Sequence, residues 1–237
     1  NMLYLKHAAA LGKMDRQLLE IYTQSVAITF DNINLQDDLR ETQKELVYTL
    51  ADAVEARSQA TSAHVKRVAL ICEMLARLYG LPENQVALIK TASPLHDIGK
   101  IAIPDAILHK PGKLDAAEWA LMQQHAQIGL DILHRSTRPL MRLGAEIALS
   151  HHEYWDGTGY PNRLKGTDIP IAGRITALAD VFDALGSQRC YKQPWSQSEV
   201  VAAIREARGR QFEPALVDLL LDHLDAFEAI RIQYPDD

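Results

Sequence analysis

The chain has 237 residues, 47% of them hydrophobic, a formal net charge of −6 and two cysteines. This is enough for one large core or a domain plus an appendage, and with no run of about 18 apolar residues and no basic-then-apolar N-terminus it excludes a membrane span and a signal peptide, so a cytoplasmic location is expected. The acidic balance supplies no field for a nucleic-acid polymer, and Cys72 and Cys190, without CxxC partners, exclude a disulfide framework and a thiolate zinc site.

From about residue 13 to 57 the sequence is almost free of Gly and Pro, with apolar residues at three- and four-residue steps: Val26, Phe30, Ile33, Leu39, Leu46, Leu50 and Val54. This predicts one or two long amphipathic helices. Acids and bases interleave in DDLRETQKE (37–45), so two readings stand open: a dimerising stalk or a helix packed back on its own domain. The chain opens on Asn1 and runs directly into this pattern, which suggests a piece of something longer.

After Arg57 the pattern becomes helix, break, helix. TSAHVKRVALICEMLARLYG closes at Gly80, and breaks follow at Pro82, Pro94, 104–112, Gly144, 157–173, Gly186 and Gly209. AAEWALMQQHAQIGLDILHR and GRITALADVFDALGSQ lie between them as helix-length segments. The expected fold is an all-α helical bundle, with at most a short β-hairpin in RLKGTDIPI (163–171).

Nine histidines are spread along the chain, and five carry context: His64 in HVKR, His96 beside Asp97 in HDIGK, His125 in MQQHAQIG, and the doublet His151–His152. Asp180 and Asp183 lie three apart on one predicted helix, and so on nearly one face. The five histidines with Asp97 and Asp180 offer seven nitrogen and oxygen ligands, more than one metal ion needs and suited to two sharing a carboxylate. Imidazole and carboxylate without thiolate favour iron or manganese, with nickel, cobalt or zinc able to occupy the same cage.

Adjacent helical residues diverge by roughly 100°. Two imidazoles in sequence therefore reach one ion only where a helix ends beside it and the chain leaves sharply. In SHHEYWDGTGYP (150–161) the glycines permit that exit, and the loop is placed to present Tyr160 and backbone N–H groups to a ligand.

HDIGK followed by HHEYWDGTGYP resembles the HD-GYP phosphodiesterases, a branch of the HD-domain phosphohydrolases that hydrolyses cyclic dinucleotides, chiefly cyclic di-GMP. The resemblance runs from about residue 45 to 225 and includes HVKR, the MQQH histidine, ALADVFDAL and RCYK. It implies a catalytic domain over 45–237 after a helical linker or dimerisation segment over 1–44, the latter similar to linkers that follow response-regulator receivers or other sensor domains. By resemblance, one ion takes His64, His96, Asp97 and Asp180, the other His125, His151 and His152, with Asp97 bridging. Lys100 is assigned to the scissile phosphate, Arg189 and Lys192 to phosphate oxygens, and Asp183 and Tyr160 to the site wall. Some members carry a glutamate four residues before the first metal histidine that helps hold a third ion; this chain has Ala60 there. Two ions are therefore expected, with linear pGpG accumulating and GMP formed slowly.

Two cations a few Å apart can bridge a hydroxide, lower its pKa and aim it in line at a phosphodiester, while Lys100 neutralises the oxygens. The alternatives are another HD-type nucleotide phosphohydrolase, a cyclic-dinucleotide sensor without turnover, and a phosphodiesterase for cyclic GMP-AMP.

Overall fold

The computed structural model describes residues 12–58, 62–187 and 195–236. They form α1 (Lys13–Arg57), α2 (Ser62–Leu78), α3 (Glu83–Ala92), α4 (Asp105–Leu108), α5 (Ala116–Leu133), α6 (Pro139–Ser150), α7 (Ile171–Gly186), α8 (Gln197–Ala207), α9 (Pro214–Asp222) and α10 (Leu224–Gln233). Short 3₁₀ turns occupy Ser93–Leu95, Ile98–Ala102 and Gly166–Asp168.

Helix ends follow local chemistry. α5 opens on a reciprocal capping box between Asp115 and Glu118, and α8 on one between Ser196 and Glu199. α6 and α9 open on Pro139 and Pro214, whose missing N–H is no loss at a first helical position. Past α2, Gly80 takes φ +87°, a left-handed conformation that ends the helix at little cost to glycine.

The chain divides into two compact units, Asn1–Leu46 and Val47–Asp237. In the second, the main core gathers Val68, Ile71 and Leu75 of α2, Ile175, Leu178 and Phe182 of α7, and Leu216 and Leu220 of α9, all fully buried. A smaller cluster joins Val47 and Val54 to Leu95, Ile98 and Leu133. In the first unit, α1 is exposed along Leu18, Ile21, Ile28, Leu35, Leu39 and Leu46.

The hairpin considered for 163–171 does not form. That stretch holds the Gly166–Asp168 turn and then enters α7, and among the described residues the β pairing is one isolated bridge, Arg208 to Phe212. The physical reason is local: the N–H groups of Asn162 and Leu164 donate to the Glu153 carboxylate at 2.7 and 2.9 Å, and Gly166 N–H donates to Trp155 O. Those donors have no strand partner to seek. None of the described helices is long and apolar enough to cross a membrane.

Candidate metal centre

His96 and Asp97 lie between two 3₁₀ turns, and the second turn brings Lys100 back so that its Nζ touches Asp97 Oδ2. Gly99 makes this possible. A Cβ there would lie 1.9 Å from His125 O, so only glycine lets the 98–102 turn rest directly on the backbone of α5. Gly173 plays the same part for α7, where a Cβ would lie 2.1 Å from Ser150 Oγ at the end of α6.

The Asp97 carboxylate is buried at the meeting point of two donor groups. Its Oδ1 lies 3.3 Å from His125 Nε2 and 3.7 Å from His151 Nε2, and its Oδ2 lies 3.3 Å from His96 Nε2. Ligand atoms of Asp97, His125, His151 and His152 all fall within 4.8 Å of one another, and so do those of Glu55, His64 and His96. Asp180 Oδ1 stands 3.4 Å from His64 Nε2 and 3.9 Å from His96 Nε2.

The rings are held from behind. The Nδ1 of His96 bonds Ser93 O at 2.9 Å, that of His125 bonds Met122 O at 2.8 Å, and that of His151 reaches Ile147 O and Ala148 O. Each carbonyl accepts a hydrogen bond from Nδ1–H, which leaves Nε2 as the nitrogen turned toward the centre. His64 Nδ1 is paired instead with Asp183 Oδ2 at 2.8 Å, and Asp183 is locked by Arg67 through bonds of 2.6 and 3.0 Å.

These residues fit divalent cations. Buried polar atoms are nearly always hydrogen-bonded. Among the described residues the buried side-chain atoms without a partner are Asp52 Oδ1, Glu55 Oε1, His96 Nε2, Asp97 Oδ1, His125 Nε2 and His151 Nε2, and all but the first belong to the two donor groups. Lone pairs turned inward on one cluster are what a cation satisfies.

The electrostatics differ around the site. Burial pulls His125 down to about 4 and, with His151 and His125 adding repulsion, holds His152 well below the imidazole range. Burial also opposes charge on His96, but Asp97, Asp180 and Glu55 outweigh it and hold that imidazole up at about 9, with a proton that a bound cation would displace to take the Nε2 lone pair. Asp97 is raised by burial, yet Lys100 and His96 take it well below the carboxylate range. Lys100 in turn is kept charged against its burial by Asp97 and Glu55.

His152 and the following loop form one wall. Tyr160 stacks on His152 with ring centroids 4.7 Å apart and meets Trp119 edge-on at 6.0 Å; burial raises its phenol, which stays neutral. Gly157 has φ +86°, and a Cβ on Gly159 would lie 2.2 Å from Tyr154 N, so both glycines are required by the turn. The loop does present Tyr160, but its N–H groups are used internally: Gly157 to Tyr154 O, Thr158 to Asp156 Oδ1, Tyr160 to His152 O, and Trp155 and Asp156 to Gln211 O and Arg210 O. The expected backbone contribution to ligand binding has these donors removed from it.

The structure thus brings together His64, His96, Asp97, Lys100, His125, His151, His152, Tyr160 and Asp180. Asp183, expected in the wall, is fully buried behind His64. Arg189, Lys192 and Ala60 lie outside the described residues. Two residues were missed. Glu55, on the long charged helix, brings a buried carboxylate to the His64 group, and Arg57 closes α1 by donating to Lys100 O, Ile101 O and Ile103 O at 2.6–2.7 Å. The only signal for Glu55 was its place next to apolar Val54 on the periodic run.

Residues 48–216 match the family model described as HD domain. The chain is 61% identical over its whole length to the 3'3'-cGAMP-specific phosphodiesterase 2 of Vibrio cholerae, of which it covers 45%. It is 42% identical over 92% of its length to the cyclic di-GMP phosphodiesterase response regulator RpfG of Xanthomonas campestris, covering 59% of that protein. It therefore spans about half the length of these curated relatives. Among solved structures, a cyclic GMP-AMP specific phosphodiesterase of V. cholerae shares the fold at TM-score 0.59 and 19% identity, over 81% of this chain and 53% of that one. On the strength of the family match over residues 48–216, the chain belongs to the HD-domain family.

Proposed function

We propose that this chain is a metal-dependent phosphodiesterase that hydrolyses cyclic dinucleotides, cyclic di-GMP to linear pGpG, with GMP formed slowly. The observation that carries the reading is the buried donor set divided across Asp97, with Nε2 and carboxylate lone pairs turned inward beside a charged lysine. Two divalent ions, iron or manganese, suit these donors, held by His64, His96 and Asp180 on one side and His125, His151 and His152 on the other, with Asp97 shared. Bound there, they supply Lewis acidity toward phosphate oxygens and a water-derived nucleophile at neutral pH.

The chain's own groups do the rest. Lys100 brings positive charge to the scissile phosphate, and Asp97 holds Lys100 in place while serving both donor groups. Tyr160, neutral and stacked on His152, limits how the substrate enters. Arg189 and Lys192 are assigned to the remaining phosphate oxygens. Opening the ring creates a terminal monoester with added negative charge, and without a further cation the second cut is the slower one.

A second substrate, 3'3'-cGAMP, has one observation in its favour: the relative at 61% identity carries that specificity in its name. Manganese-loaded protein incubated with each cyclic dinucleotide, with products separated by ion exchange over time, tests both readings. Ring opening of either supports the phosphodiesterase; no turnover of any leaves a sensor. GMP appearing directly, with no build-up of linear intermediate, would overturn the product assignment.

Residues 13–46 support self-association. Met14, Leu18, Ile21, Ser25, Ile28, Asn32, Leu35, Leu39, Thr42 and Leu46 alternate four- and three-residue steps, and all are exposed on α1. Such a stripe suits a two-stranded coiled coil with a second copy, Asn32 meeting its counterpart to fix register. The row before each leading position carries Asp31, Asp38 and Glu45, while the row opposite in a parallel pair carries Thr29, Gln36 and Gln43. An antiparallel pair would set acid against acid, so the parallel pair is favoured. Light scattering on the full chain should give a dimer, and Leu35→Glu with Leu39→Glu a monomer. In the whole protein this segment would connect to an upstream receiver or sensor domain, as the response-regulator name of the Xanthomonas relative supports.

A further inference from the structure

Donors on the His64 side come from the motif-bearing stretches, with one exception. Glu55, nine residues before His64, stands near the end of α1 with its carboxylate 2% exposed. Its Oε2 accepts from Ser58 Oγ at 2.8 Å. Its Oε1 is buried without a hydrogen-bond partner and lies within 4.8 Å of ligand atoms of His64 and His96.

We propose that Glu55 is a ligand of the cation held by His64 and His96, so that the end of α1 forms part of the metal centre. The proposal rests on reading the cluster as a metal centre, and it adds a donor to that side while leaving the count at two ions. A buried carboxylate oxygen without a partner is costly unless paired or bound to metal. The nearest cation in the chain does not meet that need. Lys100 Nζ is 4.0 Å from Oε1, beyond hydrogen-bond length, and already touches Asp97 Oδ2. The Ser58 contact orients the carboxylate, as groups behind metal ligands do. Two residues on, Arg57 ties α1 to the backbone carbonyls of Lys100, Ile101 and Ile103, which fixes the helix end against the HDIGK stretch. A hard oxygen beside two imidazoles is the mixture that manganese and iron accept.

The rival role is a counter-charge for Lys100 with no bond to metal, and metal content separates the two. Wild type, Glu55→Gln and Glu55→Asp are loaded with Mn2+, gel-filtered, and read by elemental analysis and by EPR titration. The expected result is two Mn2+ per chain in wild type and one in Glu55→Gln, the lost position binding at least about tenfold more weakly, with Glu55→Asp between. Two ions retained by Glu55→Gln at wild-type affinity would overturn the proposal. Should circular dichroism show that Glu55→Gln does not fold, anomalous scattering from wild-type crystals grown with Mn2+ decides: a Glu55 oxygen at about 2.2 Å from a peak supports it, and one well beyond bonding distance overturns it. Wild type that binds two Mn2+ but hydrolyses no cyclic dinucleotide defeats the phosphodiesterase reading and leaves the Glu55 result standing. Wild type that retains no Mn2+ defeats the metal centre and this role with it.

Discussion

The two donor groups that meet at Asp97 are built from different material. On the His125 side, three imidazoles come from α5 and the end of α6, and His125 and His151 are oriented by carbonyls of their own helices, three or four residues back. On the His64 side the donors arrive from α1, α2, α7 and the 96–97 stretch, and His64 is oriented by an aspartate 119 residues away. Burial keeps the first group's His125 and His152 below the usual imidazole range, whereas carboxylates hold His96 of the second at about 9. Local helix geometry prepares one half; tertiary packing and charge prepare the other. Damage at a distance should therefore reach the His64 half first.

Substitutions can break or sharpen this contrast. The largest effect is expected from Asp97→Ala, because Asp97 belongs to both halves: turnover should fall by at least about 10³-fold, and elemental analysis should show weakened retention of both ions. Loss of one ion alone would mean that Asp97 serves a single half.

Lys100→Ala separates charge from ligation. Both ions should remain, while hydrolysis slows by about 10²–10³-fold, the range seen on removing a group that stabilises transition-state charge. A wild-type rate would remove Lys100 from the scissile phosphate.

Asp183→Asn tests the asymmetry itself. Binding on the His64 side should weaken about 10–100-fold, with the His125 side unchanged in the same Mn2+ titration. Equal weakening on both sides would erase the difference between the two halves.

The smallest effect is expected from Arg57→Gln, which removes a clamp without touching a donor. Each lost hydrogen bond is worth about 1 kcal/mol. The variant should melt a few degrees lower and keep both ions, with a several-fold slower rate as Lys100 loosens. An unchanged melting temperature would show that the 98–103 backbone holds without it.

Much of this site was legible in the chain. The HDIGK and His151–His152 doublets marked candidate ligands, and these side chains do converge, while the one or two helices expected over about 13–57 form a single α1 at Lys13–Arg57. The hairpin allowed at most for 163–171 does not form, because Glu153 collects N–H groups that a strand would have offered. Glu55 was overlooked because a glutamate on a long charged helix resembles any solvated one, and only the packing of α1 against the 98–103 turn removes it from water.

Composition and periodicity were sufficient for the all-α class, the helix limits and the kinds of atoms at the centre, because these depend on residue type and on neighbours within one or two turns. Which atoms face one another could be settled only by packing. Asp183 and Asp180 share a helix face three residues apart, yet one pairs with His64 Nδ1 and the other faces His64 Nε2, on the side of the donor cluster. Gly99 is one letter of HDIGK in the sequence, and becomes a requirement only because His125 O lies where its side chain would be.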